Sequence, residues 1–154
     1  MNEITGNIID LAEQGHFNAI IHGCNCFGNM GAGLAKEIKQ RYHCAYKVDY
    51  RTIKGDKSKL GTYSSVLTTS NVNPDYKFYI INAYTQFRYG GRTINADYRA
   101  IRKVMRAVAE DFKECVLGIP LIGAGLAGGD WSLIKGIIEE ELVNNNYTIV
   151  HFKK

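Results

Sequence analysis

Two glycine-dense loops hold most of the polar chemistry in this chain. The first reads His22-Gly23-Cys24-Asn25-Cys26-Phe27-Gly28-Asn29-Met30-Gly31-Ala32-Gly33-Leu34-Ala35, the second Ile119-Pro120-Leu121-Ile122-Gly123-Ala124-Gly125-Leu126-Ala127-Gly128-Gly129-Asp130-Trp131. Each follows a short apolar run and leads into a segment of helical pattern. A strand, a small-residue loop and a helix in that order offer backbone N–H groups to an anion. Neither loop contains the Gly-Lys-Ser/Thr of a P-loop, and neither gives Gly-x-Gly-x-x-Gly with an acidic residue after the next strand. Two such loops at strand ends point to one cleft with two walls.

The side chains around them define the candidate reactions. His22 could move a proton if its ring reached a reacting group or a water; the alternative is a hydrogen-bonded core histidine. Asn25 can both give and accept hydrogen bonds, which suits sugar hydroxyls. Asn29 suits a turn. Asp130 is a candidate base, and it also stands where a helix expects its N-cap. Cys24-x-Cys26 has a metal-like spacing. However, His16, His22, His43 and His151 are scattered and no second cysteine pair exists, so packing thiols are expected and no metal or other cofactor.

The elements that position these groups follow from the apolar pattern. A strand and turn are expected over 1–9, with Asp10–Gln14 as one helical turn closed by Gly15. Ala19–His22 reads as a buried parallel strand. Helical spacing covers Leu34–Tyr42 and Cys44–Tyr50. A loop is expected over Thr52–Lys59, a strand over Leu60–Thr69 and a turn over Ser70–Asp75. Phe78–Ala83 is the strongest strand and leads into the aromatic loop Tyr84–Gly91. Asn95–Phe112 is the best amphipathic helix. Val116–Ile122 reads as a strand whose pairing ends near Pro120, which lacks a donor N–H. Trp131–Leu142 is a helix and Tyr147–Phe152 a last strand. Strands alternating with helices imply a largely parallel sheet covered on both faces.

Composition is that of an ordinary globular chain: 154 residues, 45% hydrophobic, 22% charged and a net charge of +4. One domain spanning 1–154 is the simplest reading. The four cysteines, without a secretory or membrane-spanning segment, suggest free thiols in a reducing, cytoplasmic compartment. The basic run Arg51–Lys59 reads as a solvated loop in preference to a nucleic-acid patch.

With these loops, and with Thr5-Gly6-Asn7-Ile8 near the start, the chain resembles the macro domains, the ADP-ribose-binding family, over essentially its whole length. It looks closest to the branch of the ADP-ribose 1″-phosphate phosphatases and terminal ADP-ribose glycohydrolases, as in small bacterial or phage proteins. The resemblance implies a three-layer α/β/α fold around a mixed, largely parallel sheet. It implies that Asn7 and Ile8 meet the adenine, with Phe152 against its ring. Gly31, Ala32, Gly33 and Leu34 would wrap the distal ribose and a phosphate. Ile122, Gly123, Ala124, Gly125, Leu126 and Ala127 would hold the diphosphate. Gly23, Asn25, Met30, Thr85 and Gln86 join the ligand-binding set on the same ground.

Many relatives carry an aspartate where Asn7 stands, and the glycohydrolase lysine and aspartate fall at Gln86 and Ala127. The covalent lysine route is therefore not expected. The leading expectation is hydrolysis of ADP-ribose 1″-phosphate, with Asp130, His22 and Asn25 as the catalytic candidates. The alternatives are a non-catalytic ADP-ribose binder and a hydrolase freeing ADP-ribose from macromolecules. The expected partners are thus ADP-ribose or its 1″-phosphate, or ADP-ribosylated protein or nucleic acid. No membrane partner is expected, and the chain is read as a monomer.

Overall fold

The computed structural model describes residues 2–91 and 93–152. Six strands form one sheet: β1 (Asn2–Gly6), β2 (Ala19–Cys24), β3 (Tyr63–Thr69), β4 (Lys77–Tyr84), β5 (Val116–Ile119) and β6 (Asn146–Phe152). Their order is β1-β6-β5-β2-β4-β3. Every neighbouring pair is parallel except β3 with β4. The sheet is therefore mixed and largely parallel, with the antiparallel strand at an edge.

Helices cover both faces because the parallel strands are apolar on both. On one face α4 (Tyr98–Asp111) and α5 (Trp131–Glu141) pack Ile101, Val104, Met105, Ile134 and Ile138 onto Ile21, Ile81, Leu117 and Ile149. On the other, α1 (Ile8–Glu13), α2 (Gly33–Arg41) and α3 (His43–Tyr50) bury Ile8, Ile9, Ile38 and Ala45 against Ile20, Phe78, Ile80 and Val150. Alternation along β2 divides its side chains between these cores: Ile21 faces α4 and α5, whereas Ile20 faces α1, α2 and α3. Gly118 of β5 has no room for a side chain, since a Cβ there would lie 2.6 Å from the Phe17 ring.

Several boundaries differ from the sequence reading. Asn7 ends the first strand and starts a helix at once: its Oδ1 accepts from Ile9 N at 2.9 Å and Asp10 N at 3.1 Å. Ile8 and Ile9 are thus helical, not part of a turn, and the helix was expected to begin only at Asp10. Met1 lies outside the described residues. The expected loop after Thr52 contains a short 3-10 turn, Lys57–Lys59. β3 starts at Tyr63 rather than Leu60. β5 stops at Ile119, before Pro120, and does not reach Ile122.

Candidate ligand cleft and its two loops

A cleft of about 510 Å³ opens at the carboxyl ends of β1, β6 and β5, a size suited to a nucleotide-like ligand. One wall is the start of α1 and α2, from Gly6, Asn7 and Ile8 to Gly33, Leu34 and Glu37; the other is Pro120, Leu121, Ala124 and Gly125, with Val150 and Phe152 at the end. The Phe152 ring is 64% exposed, so a flat ligand group has an aromatic face to lie on.

The second loop is held by its own backbone hydrogen bonds. Gly129 N donates to Gly123 O at 2.8 Å and Gly128 N to Gly125 O at 3.1 Å. Asn95 N and Ala96 N both donate to Ala127 O, at 2.8 and 3.2 Å, which ties the loop to the segment before α4. Gly123 and Gly128 make these turns with φ of 74° and 73°, which side chains rarely tolerate. The three consecutive N–H groups of Gly125, Leu126 and Ala127 are left without an internal partner among the described residues.

The facing wall has the same character. Ala32 precedes α2 without a side-chain cap, so the first N–H groups of that helix also lack partners. Gly33, at φ 60°, lets the chain turn into the helix, and a Cβ there would meet Leu126 Cδ1 at 3.4 Å. The two loops therefore approach each other where Leu126, 78% exposed, reaches across to Gly33. At the inner end Gly23, Thr85 and Ile122 converge: a Cβ on Gly23 would lie 2.8 Å from Thr85 Oγ1 and 3.2 Å from Ile122 Cγ1. The Thr85 hydroxyl is fully buried and has no hydrogen-bond partner among the described residues.

The catalytic candidates fare differently. His22 is a correction. It is 1% exposed, on the α3 side of the sheet, because strand alternation turns it away from the face of Gly23. Its Nε2–H donates to Asn82 Oδ1 at 2.6 Å, and the Cys24 Sγ lies beside the ring, 3.5 Å from Nε2 and 3.7 Å from Nδ1. The Asn82 orientation fixes this tautomer, because Asn82 Nδ2 donates to Ala45 O and Ser64 Oγ. Burial lowers the His22 pKa to about 4, against a smaller opposing effect of the Asn82 bond. The histidine thus belongs to a buried polar chain. That chain runs on through Ser64 Oγ to Tyr84 Oη (2.7 Å) and from there to Asp49 Oδ1 (2.8 Å).

Asn25 is engaged within its own loop. Its Nδ2 donates to Asn29 O at 2.8 Å and its Oδ1 accepts from Phe27 N at 2.9 Å, so its amide shapes the loop. Asp130 caps α5, accepting from Ser132 N through Oδ1 at 2.9 Å, and its exposed carboxylate keeps Oδ2 without a partner among the described residues.

Of the ligand-binding candidates, Met30 is buried against Cys24, Cys26 and Tyr84, beneath the loop. Gly31 N donates to Asn29 Oδ1. Gln86 Nε2 donates to Arg88 O at 2.7 Å. Asn7 lines the cleft, but its Oδ1 already carries two backbone donors, so the acceptor expected for adenine is occupied by the cap. Its Nδ2 donates to Glu37 Oε1 at 3.1 Å. Glu37 is the residue the sequence reading missed. It sits one turn after Gly33 and four residues before Arg41, whose Nη1 reaches the same oxygen at 2.9 Å. That i,i+4 spacing was the available signal. Arg41 also binds Asp10 at 2.7 Å and the buried Glu13.

Among the described residues no three His, Cys, Asp or Glu side chains are grouped to hold a metal ion. No helix among them is long and apolar enough to cross a membrane.

Comparison with known proteins defines the class. The Macro domain family model matches residues 21–138, more than half the chain, and the chain belongs to that family. It is 34% identical over 141 residues to the 17.5 kDa protein of the tk-vs intergenic region of Enterobacteria phage T4, covering 88% of this chain and 86% of that one. It is 24% identical over 180 aligned positions to an ADP-ribose 1″-phosphate phosphatase of Aspergillus oryzae, covering 91% and 88%. A solved structure of Thermosipho africanus DarTG in complex with ADP-ribose shares the fold, with a TM-score of 0.71 at 19% identity. The match covers 91% of this chain and 39% of that one.

Proposed function

We propose that the cleft binds ADP-ribose and that the protein hydrolyses ADP-ribose 1″-phosphate. The observation that carries the binding is the run of unpaired N–H groups at Gly125, Leu126 and Ala127, opposite the uncapped start of α2. A diphosphate fits between two such donor sets, and the base would lie toward Phe152 and the start of α1. The Aspergillus relative supports the phosphatase chemistry. Binding energy from the nucleotide would hold the terminal phosphate in place. The loop donors would then stabilise charge on its oxygens. With His22 buried, Asp130 is the remaining candidate to orient or deprotonate a water, through its free oxygen.

Phosphate release from ADP-ribose 1″-phosphate tests this reading. Asp130→Asn is the informative variant, because asparagine caps a helix as well as aspartate does but is no base. Turnover should fall at least about 100-fold, the usual range for a lost general base. Unchanged turnover sinks the role of Asp130, and no turnover by the wild type sinks the activity.

A second reading, a non-catalytic ADP-ribose binder, is favoured by one observation: His22 and Asn25 are both engaged within the protein. Calorimetric binding of ADP-ribose without turnover of the phosphate ester would select it.

A further inference from the structure

Beside the cleft, on the outer face of the first loop, rings and cations alternate. Along α3 the His43, Tyr46 and Tyr50 rings follow one another with centroids 5.4 and 5.6 Å apart. Lys39 Nζ lies 4.0 Å over the Tyr46 ring and Lys54 Nζ 3.9 Å over that of Tyr50. The Lys54 methylenes run along Gly28, where a Cβ would meet Cε at 3.4 Å, and Gly55 packs on the Phe27 ring. Phe27 in turn meets Phe87 at 5.0 Å and Tyr89 at 6.4 Å, edge to face, with Lys57 Nζ 5.4 Å over Phe87. The strip is therefore continuous from His43 to Tyr89. Tyr50, Phe27 and Tyr89 are 52%, 37% and 52% exposed, so each ring is partly open to solvent.

The charge of the strip is one-sided. Lys36, Lys39, Lys47, Arg51, Lys54 and Lys57 have no carboxylate within salt-bridge distance among the described residues. The nearby acids are engaged: Glu37 and Asp10 hold Arg41, Asp49 is buried under Tyr84, and Asp56 caps Ser58. Elsewhere Arg41, Arg102, Arg106, Lys113 and Lys135 are paired, whereas Lys77, Arg88, Arg99 and Lys103 are likewise without a carboxylate partner among the described residues. Lys36, Lys39 and His43 also ring an open hollow against Met30 and Gly31.

We infer that this strip binds a single strand of nucleic acid across the outside of the first loop. Unpaired cations would follow the phosphates, and exposed rings would stack on bases that a duplex keeps inside. A folded acidic protein would satisfy the cations, but a single strand offers a planar base at every phosphate. The inference stands apart from the ligand assigned to the cleft, although both sites share the loop from Asn25 to Gly33.

Fluorescence anisotropy of the full chain with short labelled single-stranded DNA and RNA, over a salt titration, tests it. Binding should weaken steeply with salt. Lys54→Gln, which keeps the packing on Gly28, should lower the log–log salt slope by about 0.7. Tyr50→Ala should weaken binding at least about fivefold at every salt concentration, the loss of one stacked base. Lys77→Ala, an exposed cation on β4 away from the strip, should change neither. No binding at low salt overturns the inference. So does binding that ignores Lys54→Gln and Tyr50→Ala, or equal binding of duplex DNA and poly-glutamate, which would mean charge alone. Calorimetry with ADP-ribose on the same variants reads the cleft separately: loss of ADP-ribose binding by the wild type would sink the cleft reading and leave this one standing.

Discussion

Asn7 shows how a single residue can be held at both ends of its side chain. Its oxygen caps α1 and its amide nitrogen holds Glu37, so both ends are used. Aspartate in its place would still cap the helix. It would also set a second carboxylate about 3 Å from Glu37, in place of the 3.1 Å hydrogen bond. Arg41 already serves Asp10, Glu13 and Glu37 and cannot neutralise a fourth acid. At that distance in water-like surroundings the repulsion is about 1 kcal/mol. Asn7→Asp should therefore lower stability by about that amount at pH 7, and the deficit should shrink toward pH 4 as carboxylates protonate. Urea midpoints of wild type and variant at both pH values check this. A second prediction concerns Gly33. With φ at 60°, alanine there costs about 1–2 kcal/mol, and its methyl would meet Leu126 where the loops approach. Gly33→Ala should weaken ADP-ribose binding more than it lowers the thermal midpoint, read by calorimetry beside thermal denaturation.

At the scale of elements, the wall of the cleft depends on how α1 and α2 are joined. Arg41 near the end of α2 ties Asp10 and the buried Glu13 of α1, and Tyr42 Oη donates to Glu13 Oε2 at 2.6 Å. Arg41→Met keeps the aliphatic stem but leaves Glu13 without its cation, which should cost about 2–4 kcal/mol. That wall should also lose its fixed shape, so ADP-ribose affinity should fall with stability; denaturant titration and calorimetry measure the two losses. The elements themselves were largely legible. The 3.6-residue repeat of Ile101, Val104, Met105 and Val108 marks α4, and the apolar run Phe78–Ala83 marks β4. Pro120 marks the end of β5 for the reason expected, its missing donor. The start of α1 was not legible, because Ile8 falls in step with Ile4 and so continues an alternation that a strand would also show. Only the two amide bonds to Asn7 distinguish the cases. The loops could be read as a pair of walls from small residues alone. The direction of His22 could not, since it depends on which face of β2 covers α3, a tertiary fact. Glu37 was missed because a charged residue on the polar face of a helix looks the same whether it faces solvent or a cleft.

For the molecule as a whole, the buried chain from His22 through Asn82, Ser64 and Tyr84 to Asp49 joins β2, β3, β4 and α3 beneath the first loop. It makes global stability depend on pH in a definite sense. The folded protein holds His22 neutral with a pKa of about 4, whereas an unfolded histidine titrates near 6.5. Between these values the unfolded chain binds the proton and the folded one does not, so stability rises with pH across this window and is lost as pH falls through it. The full shift corresponds to about 3 kcal/mol. Above pH 7 the effect is absent, because the imidazole is neutral in both states. Asp49 acts in the same protein with the opposite sign: burial raises its carboxyl, so its contribution favours the folded state as pH falls. The two can be separated by His22→Gln, which removes the imidazole and keeps a hydrogen-bonding amide for Asn82. Wild type should lose about 3 kcal/mol between pH 7 and pH 4 from this group. The variant, less stable at pH 7, should show a profile flatter by that amount. Parallel profiles, measured as unfolding free energies in urea across the range, would mean that the folded protein does not hold His22 below its ordinary titration range.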